Sequence, residues 1–215
     1  MKAINKKRYI YVGIIAILFV AVLLCAVVCR TPMERLSNSQ IADLRVEYPI
    51  CGTELPPNVE VSPPTLERVI ERSDTFVYGE VTGDYTTFSK YISTGFPEMD
   101  EKREAVGLGN EYEFYEYPIT VIEDTSGIYE AGDQITISDN VMFMEANPKL
   151  NSGMRVVVPV MVDDDVSTRA NFNVYGTYYV TEDGYALSAF DEEVAQTRAM
   201  TGVKVEALLE QLKKD

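Results

Sequence analysis

Between Asp74 and Phe190 the chain is a succession of short β-branched and aromatic runs separated by turn signals, with no crossover helix among them. That pattern constrains the fold more than any other feature. "TFVYGEVT" and "YTTFSKYI" flank the turn Gly83-Asp84, and together they read as a hairpin. "YEFYEYPITVIED" is a longer strand, with Tyr112 and Phe114 on one face. Ile119 and Val121 share a face after a predicted change of phase near Pro118. "QITISD", the near-continuous apolar run "MRVVVPVMV", "FNVYGTYYVT" and "YALSAF" supply the rest. Parallel α/β folds need a helix between successive strands, and these linkers hold none. The predicted class is therefore mainly β (α+β), a small antiparallel barrel. Gly79, inside the first strand, marks a bend or bulge of the kind a closed barrel uses.

Helices flank this core. "SPPTLERVIERSD" places Leu66, Val69 and Ile70 on one face, with Ser62 or Thr65 as the cap. "TGVKVEALLEQLKKD" carries an apolar stripe of Val205, Leu208, Leu209 and Leu212, and Lys213 and Lys214 suit its carboxyl end. "STGFPEMDEKREAVGLGNE", between the second and third strands, reads as a long mobile loop.

The amino end is of another kind. Residues 1–8 are basic, with Lys2, Lys6, Lys7 and Arg8. Residues 9–29 then form an uncharged apolar run, long enough as a helix to span roughly 30 Å, a bilayer core. The expectation is a retained transmembrane helix at 9–29, with the basic tail 1–8 in the cytoplasm and the remainder outside the cell membrane. Processing at Cys29 is the rival, although Val28 is not the small residue that a lipoprotein site prefers. Residues 30–61, proline-rich toward their end, read as a stalk with one short helix about Met33, Leu36, Ile41 and Leu44. Residues 62–215 are then the folded extracytoplasmic domain.

Charge follows the same division. The 215-residue chain carries −15. Removing the four positive charges of residues 1–29 leaves −19 on the remainder. So acidic a domain is repelled by nucleic acid and by anionic lipid headgroups. Cys51 is the one cysteine beyond the amino-terminal run, so the outer domain has no internal disulfide framework.

The order of pieces resembles a class of exported bacterial domains with an OB-like barrel, similar in outline to netrin-like domains. The resemblance rests on Asp74, Gly79 and Val81 in "SDTFVYGEV", on "GDQITI" (Gly132–Ile137), and on Gly153 and Gly176, within roughly residues 64–190. It implies a fold and not an activity. Glu123-Asp124-Thr125-Ser126-Gly127 stands where those domains have a Lys-Gly turn. Netrin-like protease inhibitors act through an amino-terminal cysteine, which this domain lacks. An inhibitor-like module therefore stays an alternative only.

Catalytic chemistry is thinly represented. The chain has no histidine, which excludes Ser-His-Asp and Cys-His nucleophiles and histidine-ligated zinc. No phosphate-binding loop occurs, and no cofactor is implied. Ser89 and Lys90 are adjacent on a strand and so point to opposite faces. Asp163, Asp164 and Asp165 could hold a calcium ion, but without the spacing of a calcium loop. Glu111, Glu113 and Glu116 are the candidates for a carboxylate-dependent hydrolase, yet alternation turns Glu111 and Glu113 to solvent. With 14 tyrosines and no tryptophan, the strands offer Tyr175, Tyr178 and Tyr179 as a binding face for a glycan or an envelope protein. The expected function is a non-enzymatic binding module, anchored in the membrane by its amino-terminal helix.

Overall fold

Strand β1 (Thr75–Val81) is flanked by partners on both edges, and this closes the sheet. The computed structural model describes residues 34–51, 65–163, 165–166, 168–172, 174–190 and 200–213. Among them, nine strands form one sheet. The others are β2 (Thr86–Tyr91), β3 (Glu111–Asp124), β4 (Gln134–Asn140), β5 (Arg155–Val162), β6 (Arg169–Phe172), β7 (Tyr178–Val180), β8 (Tyr185–Ser188) and β9 (Val203–Lys204). Five of them make the ring β1-β3-β4-β6-β5, which returns to β1. Every pairing in the ring is antiparallel except β4 with β6. β7, β8 and β9 extend the sheet from β5, and β2 flanks β3. The fold is a mostly-β barrel with extra strands and a few helices, as the strand spacing predicts.

β1 is buried on both faces along its length except at Glu80, which is exposed. Val77 and Val81 point into the barrel, among Ile119, Val121, Ile137, Val156 and Val158. Phe76 and Tyr78 point outward into a second core beneath two helices, α2 (Leu66–Arg72) and α4 (Val205–Leu212). Thr65 caps α2 by accepting from the Arg68 N–H. The stripe expected on α4 is buried residue for residue. The β1–β3 register slips between Tyr78 and Gly79, so the bulge lies where the glycine marks it. A Cβ at Gly79 would sit 2.3 Å from Ile119 Cγ2 and 2.9 Å from the Thr120 carbonyl oxygen.

β3 differs from its expected phase. Tyr115, Tyr117, Ile119 and Val121 all face the barrel interior, so Pro118 causes no change of face. The tyrosines, not Tyr112 and Phe114, continue the core stripe. Their hydroxyls are met at the barrel end: Asn147 Nδ2 donates to Tyr115 at 2.7 Å, and the Leu150 N–H donates to Tyr117.

Part of the predicted stalk belongs to the barrel body. Residues 38–44 form α1 (Asn38–Leu44), opened by a capping box between Ser37 and Gln40. Ile41 and Tyr48 are buried in the barrel core cluster, and Tyr48 packs against Tyr179 with ring centroids 5.6 Å apart. The Leu36 N–H bonds the Gly202 carbonyl at 2.8 Å, and the Cys51 N–H bonds that of Ala189 at 2.7 Å. Arg45 donates to the carbonyls of Tyr48 and Ser188. The apolar run 9–29, the remaining stalk from residue 52 and Ser62 lie outside the described residues. Among the described residues no helix is long and apolar enough to cross a membrane.

Candidate interaction surface

The segment between β2 and β3, expected as a loop, contains the helix α3 (Pro97–Ala105). Pro97 starts it where a missing N–H costs nothing. Glu98 and Asp100 stand in its first turn, and Lys102 and Arg103 in its last, which suits the helix dipole. Gly107 (φ +73°) ends it with its N–H on the Glu104 carbonyl.

α3 is polar on the side that an ordinary surface helix makes apolar. Asp100 is the one buried residue of the helix. Its carboxylate turns back and accepts from the Ser93 hydroxyl at 2.7 Å and the Thr94 N–H at 2.9 Å. The Thr94 hydroxyl, the Ser93 hydroxyl and the Thr94 amide together hold its pKa down at about 2. Three residues on, Arg103 donates to the Asn110 side-chain oxygen at 2.8 Å, to the Tyr112 hydroxyl at 2.9 Å and to the Gly109 carbonyl. Asn110 in turn donates to the Tyr91 hydroxyl, and its carbonyl accepts from the Ile92 N–H. A polar frame fixes the tip from within.

Outward, among the exposed charges Glu98, Glu101, Lys102 and Glu104, the tip also presents large apolar side chains. Phe96 (66% exposed), Met99, Val106 and Leu108 (67%) lie in or beside the helix, with Tyr91 and Ile92 at its approach. Large apolar side chains gathered in one exposed segment mark interaction surfaces. Here their scaffold is ordered before any partner arrives.

Behind the tip, the β2–β3 ribbon is bonded to the far side of the barrel. Thr86, Phe88 and Lys90 stand opposite Glu116, Phe114 and Tyr112 and share one face with them. Phe88 stacks on Phe114 at 5.4 Å, and the Arg169 guanidinium lies 3.9 Å over Phe88 while its Nε holds Glu116 at 2.9 Å. Lys90 Nζ meets both oxygens of Asp163, at 2.8 and 3.0 Å, and Asp165 at 3.2 Å. Burial alone would raise the Asp163 pKa, but the bonds from Lys90 and the Asp165 N–H outweigh it and leave it lowered. Lys90 is raised by the same contact with Asp163.

The residues singled out from the sequence are distributed as follows. Tyr178 and Tyr179 are neighbours on β7, so they point to opposite faces and are buried in different cores. Tyr175 is half-buried, its ring 4.6 Å from Phe190. The three therefore do not share one exposed face. Burial raises the pKa of all three. The Tyr179 hydroxyl lies 3.5 Å from Cys51 Sγ. The Tyr178 hydroxyl is the one buried side-chain polar atom among the described residues with no hydrogen-bond partner. Asp163 and Asp165 converge on Lys90, and Asp164 lies outside the described residues. Among the described residues no group of three or more acidic or cysteine side chains is placed to hold a metal ion. Glu111 and Glu113 are exposed, and Glu116 is paired with Arg169. Sequence reasoning passed over Asp100 and Arg103, although Pro97 before them and Gly107 after them signal a helix. Lys90 and Arg169 carried no local signal, because their partners lie 73 and 53 residues away.

No protein-family model matches the chain, and no curated protein matches it.

Proposed function

We propose that the chain is a non-enzymatic binding module of the bacterial envelope. In this reading the apolar run 9–29 anchors it in the cell membrane, the barrel lies outside, and the 91–108 tip engages a protein partner. One observation carries the binding reading: α3 buries Asp100 and turns Met99, with Phe96, Val106 and Leu108 beside it, into solvent. A helix serving only stability would do the reverse. The OB-like reading of the barrel is supported by the ring order and its single parallel pair, β4 with β6. The hydrolase alternative has less support, since Glu116 and Asp163 are each neutralised by a cation at 2.8–2.9 Å.

A photo-crosslinking residue placed at Met99 or Leu108 of the full chain, in the source cell, tests the reading. Adducts are expected from both positions and not from Val46, which is 91% exposed elsewhere on the barrel unit. Equal yields from all three, or none at the tip, would remove the basis for a binding tip.

A further inference from the structure

We infer that the outer edge of β2 is a strand-addition site for an extended, basic segment of a partner protein. This rests on the binding-module reading and gives that module a recognition mode. In the ring every strand has a neighbour on each side; among the described residues β2 pairs with β3 alone. The other end of the sheet, β9, is only two residues long, and Arg35 bridges its Val203.

The phase of the ladder can be read from its end. The Ile92 N–H donates to the Asn110 carbonyl, so with the β2–β3 register the residues at 86, 88 and 90 also turn their backbone groups to β3. Thr87, Ser89 and Tyr91 turn theirs outward, and the side chains of all three are exposed. Edge strands are commonly guarded by proline or by an outward lysine. β2 has no proline, and its lysine, Lys90, is drawn away to Asp163 and Asp165. The guard is absent where the edge is open.

Charge selects the occupant. Ser89 and Tyr91 stand opposite Glu113 and Glu111, both exposed and on the same face. An added strand would lie two strand spacings from β3, roughly 10 Å. A lysine on it would reach across the small Ser89 to Glu113, and one beside Tyr91 would meet Glu111 and the ring. A second copy of this chain carries a net −15 of its own and would set its own Glu111 and Glu113 near these, so a basic segment of a different protein fits better. Backbone bonds supply the pairing, and alternate side chains supply the selection.

The full chain in detergent micelles, titrated into a labelled alternating Lys-Val heptapeptide, gives the test by fluorescence anisotropy. Two further peptides accompany it: the Glu-Val counterpart, and the Lys-Val peptide N-methylated at two consecutive central residues, which blocks both of its edges. The expected result is binding of the Lys-Val peptide, with both controls weaker by about ten-fold or more. Ser89→Pro should weaken binding equally. Its proline removes an outward N–H and leaves the β2–β3 ladder intact, which circular dichroism and melting check. Should that variant fail to fold, the N-methylated peptide decides alone. Equal binding of the N-methylated peptide would reduce the effect to charge attraction and overturn the inference, as would no binding at all. Self-association of the chain abolished by Ser89→Pro would make the edge a contact between copies, which also overturns it. Crosslinks from Met99 without strand addition would sink this inference alone; loss of both would sink the binding reading with it.

Discussion

Replacing Lys90 with methionine keeps an unbranched side chain, one atom shorter, and removes the charge that meets Asp163. The Asp163 side chain is 3% exposed and that of Lys90 33%. Removing one member of a fully buried ion pair costs about 3–5 kcal/mol. Here water reaches the lysine end, and the Asp165 N–H still donates to Asp163 at 2.9 Å, so a cost of about 2 kcal/mol is expected. That is roughly a thirty-fold change in the unfolding equilibrium. Asp165 adds little, since its side chain is 76% exposed. Urea denaturation of the wild type, Lys90→Met, Asp163→Asn and the double variant forms a cycle. The double variant should recover at least about 1 kcal/mol of the summed single losses. The effect also has a pH signature. The folded pKa of Asp163 is lowered, so its stabilisation is fully present above the unfolded value of about 3.9 and is lost as pH falls through the folded one. Wild type and Lys90→Met should therefore converge in acid. A Lys90→Met variant within about 0.5 kcal/mol of wild type at neutral pH, the range of an ordinary surface change, would refute the reasoning. So would a gap that persists at low pH.

Gly79→Ala should lose about 1–3 kcal/mol, because the new methyl meets buried Ile119 and a backbone carbonyl that cannot swing away; a melting temperature equal to wild type would contradict this. Asp100 has a folded pKa of about 2, so the tip frame should hold at every pH above the unfolded value of about 3.9 and loosen below it. A tryptophan at Phe96, in a chain with none, reports this by fluorescence, and Asp100→Asn should abolish the pH response. Calcium or its chelation should leave the melting temperature unchanged, since Lys90 already lies on Asp163 and Asp165; a rise of several degrees with calcium would place an ion there instead.

Much of the fold was legible because its signals are local. The α4 stripe, the β1–β2 turn and the bulge at Gly79 follow from spacing and from one glycine. Misreadings arose where the deciding contact is distant. Ile41 and Tyr48 look like stalk residues until Tyr179, more than 130 positions later, gives Tyr48 a ring to pack on. In β3 the core stripe runs through Tyr115 and Tyr117, and taking Tyr112 and Phe114 as one face beside Ile119 and Val121 imposes a phase change at Pro118 that the strand does not make. The candidate site was the least legible part. Asp100 and Arg103 look like an ordinary solvated charge pair, and only the fold reveals that they face inward. Tyr178 and Tyr179 attract attention by number, yet strand alternation already assigns them to opposite sides.

The bond from Leu36 to Gly202 and the bridge from Arg35 to Val203 join the first described residues to nearly the last. This gives the unit a direction of mechanical strength. A pull on its amino-terminal side is taken first at Gly202 and at Val203 of β9, and then by Ile41 and Tyr48 in the barrel core. It also sets an order of assembly: the segment about Leu36 and Ile41 gains these partners only after Gly202 and Val203 have been synthesised. Trimming the chain back past Gly202 would unfasten the segment at Arg35 and Leu36 while leaving the strands of the barrel ring in place.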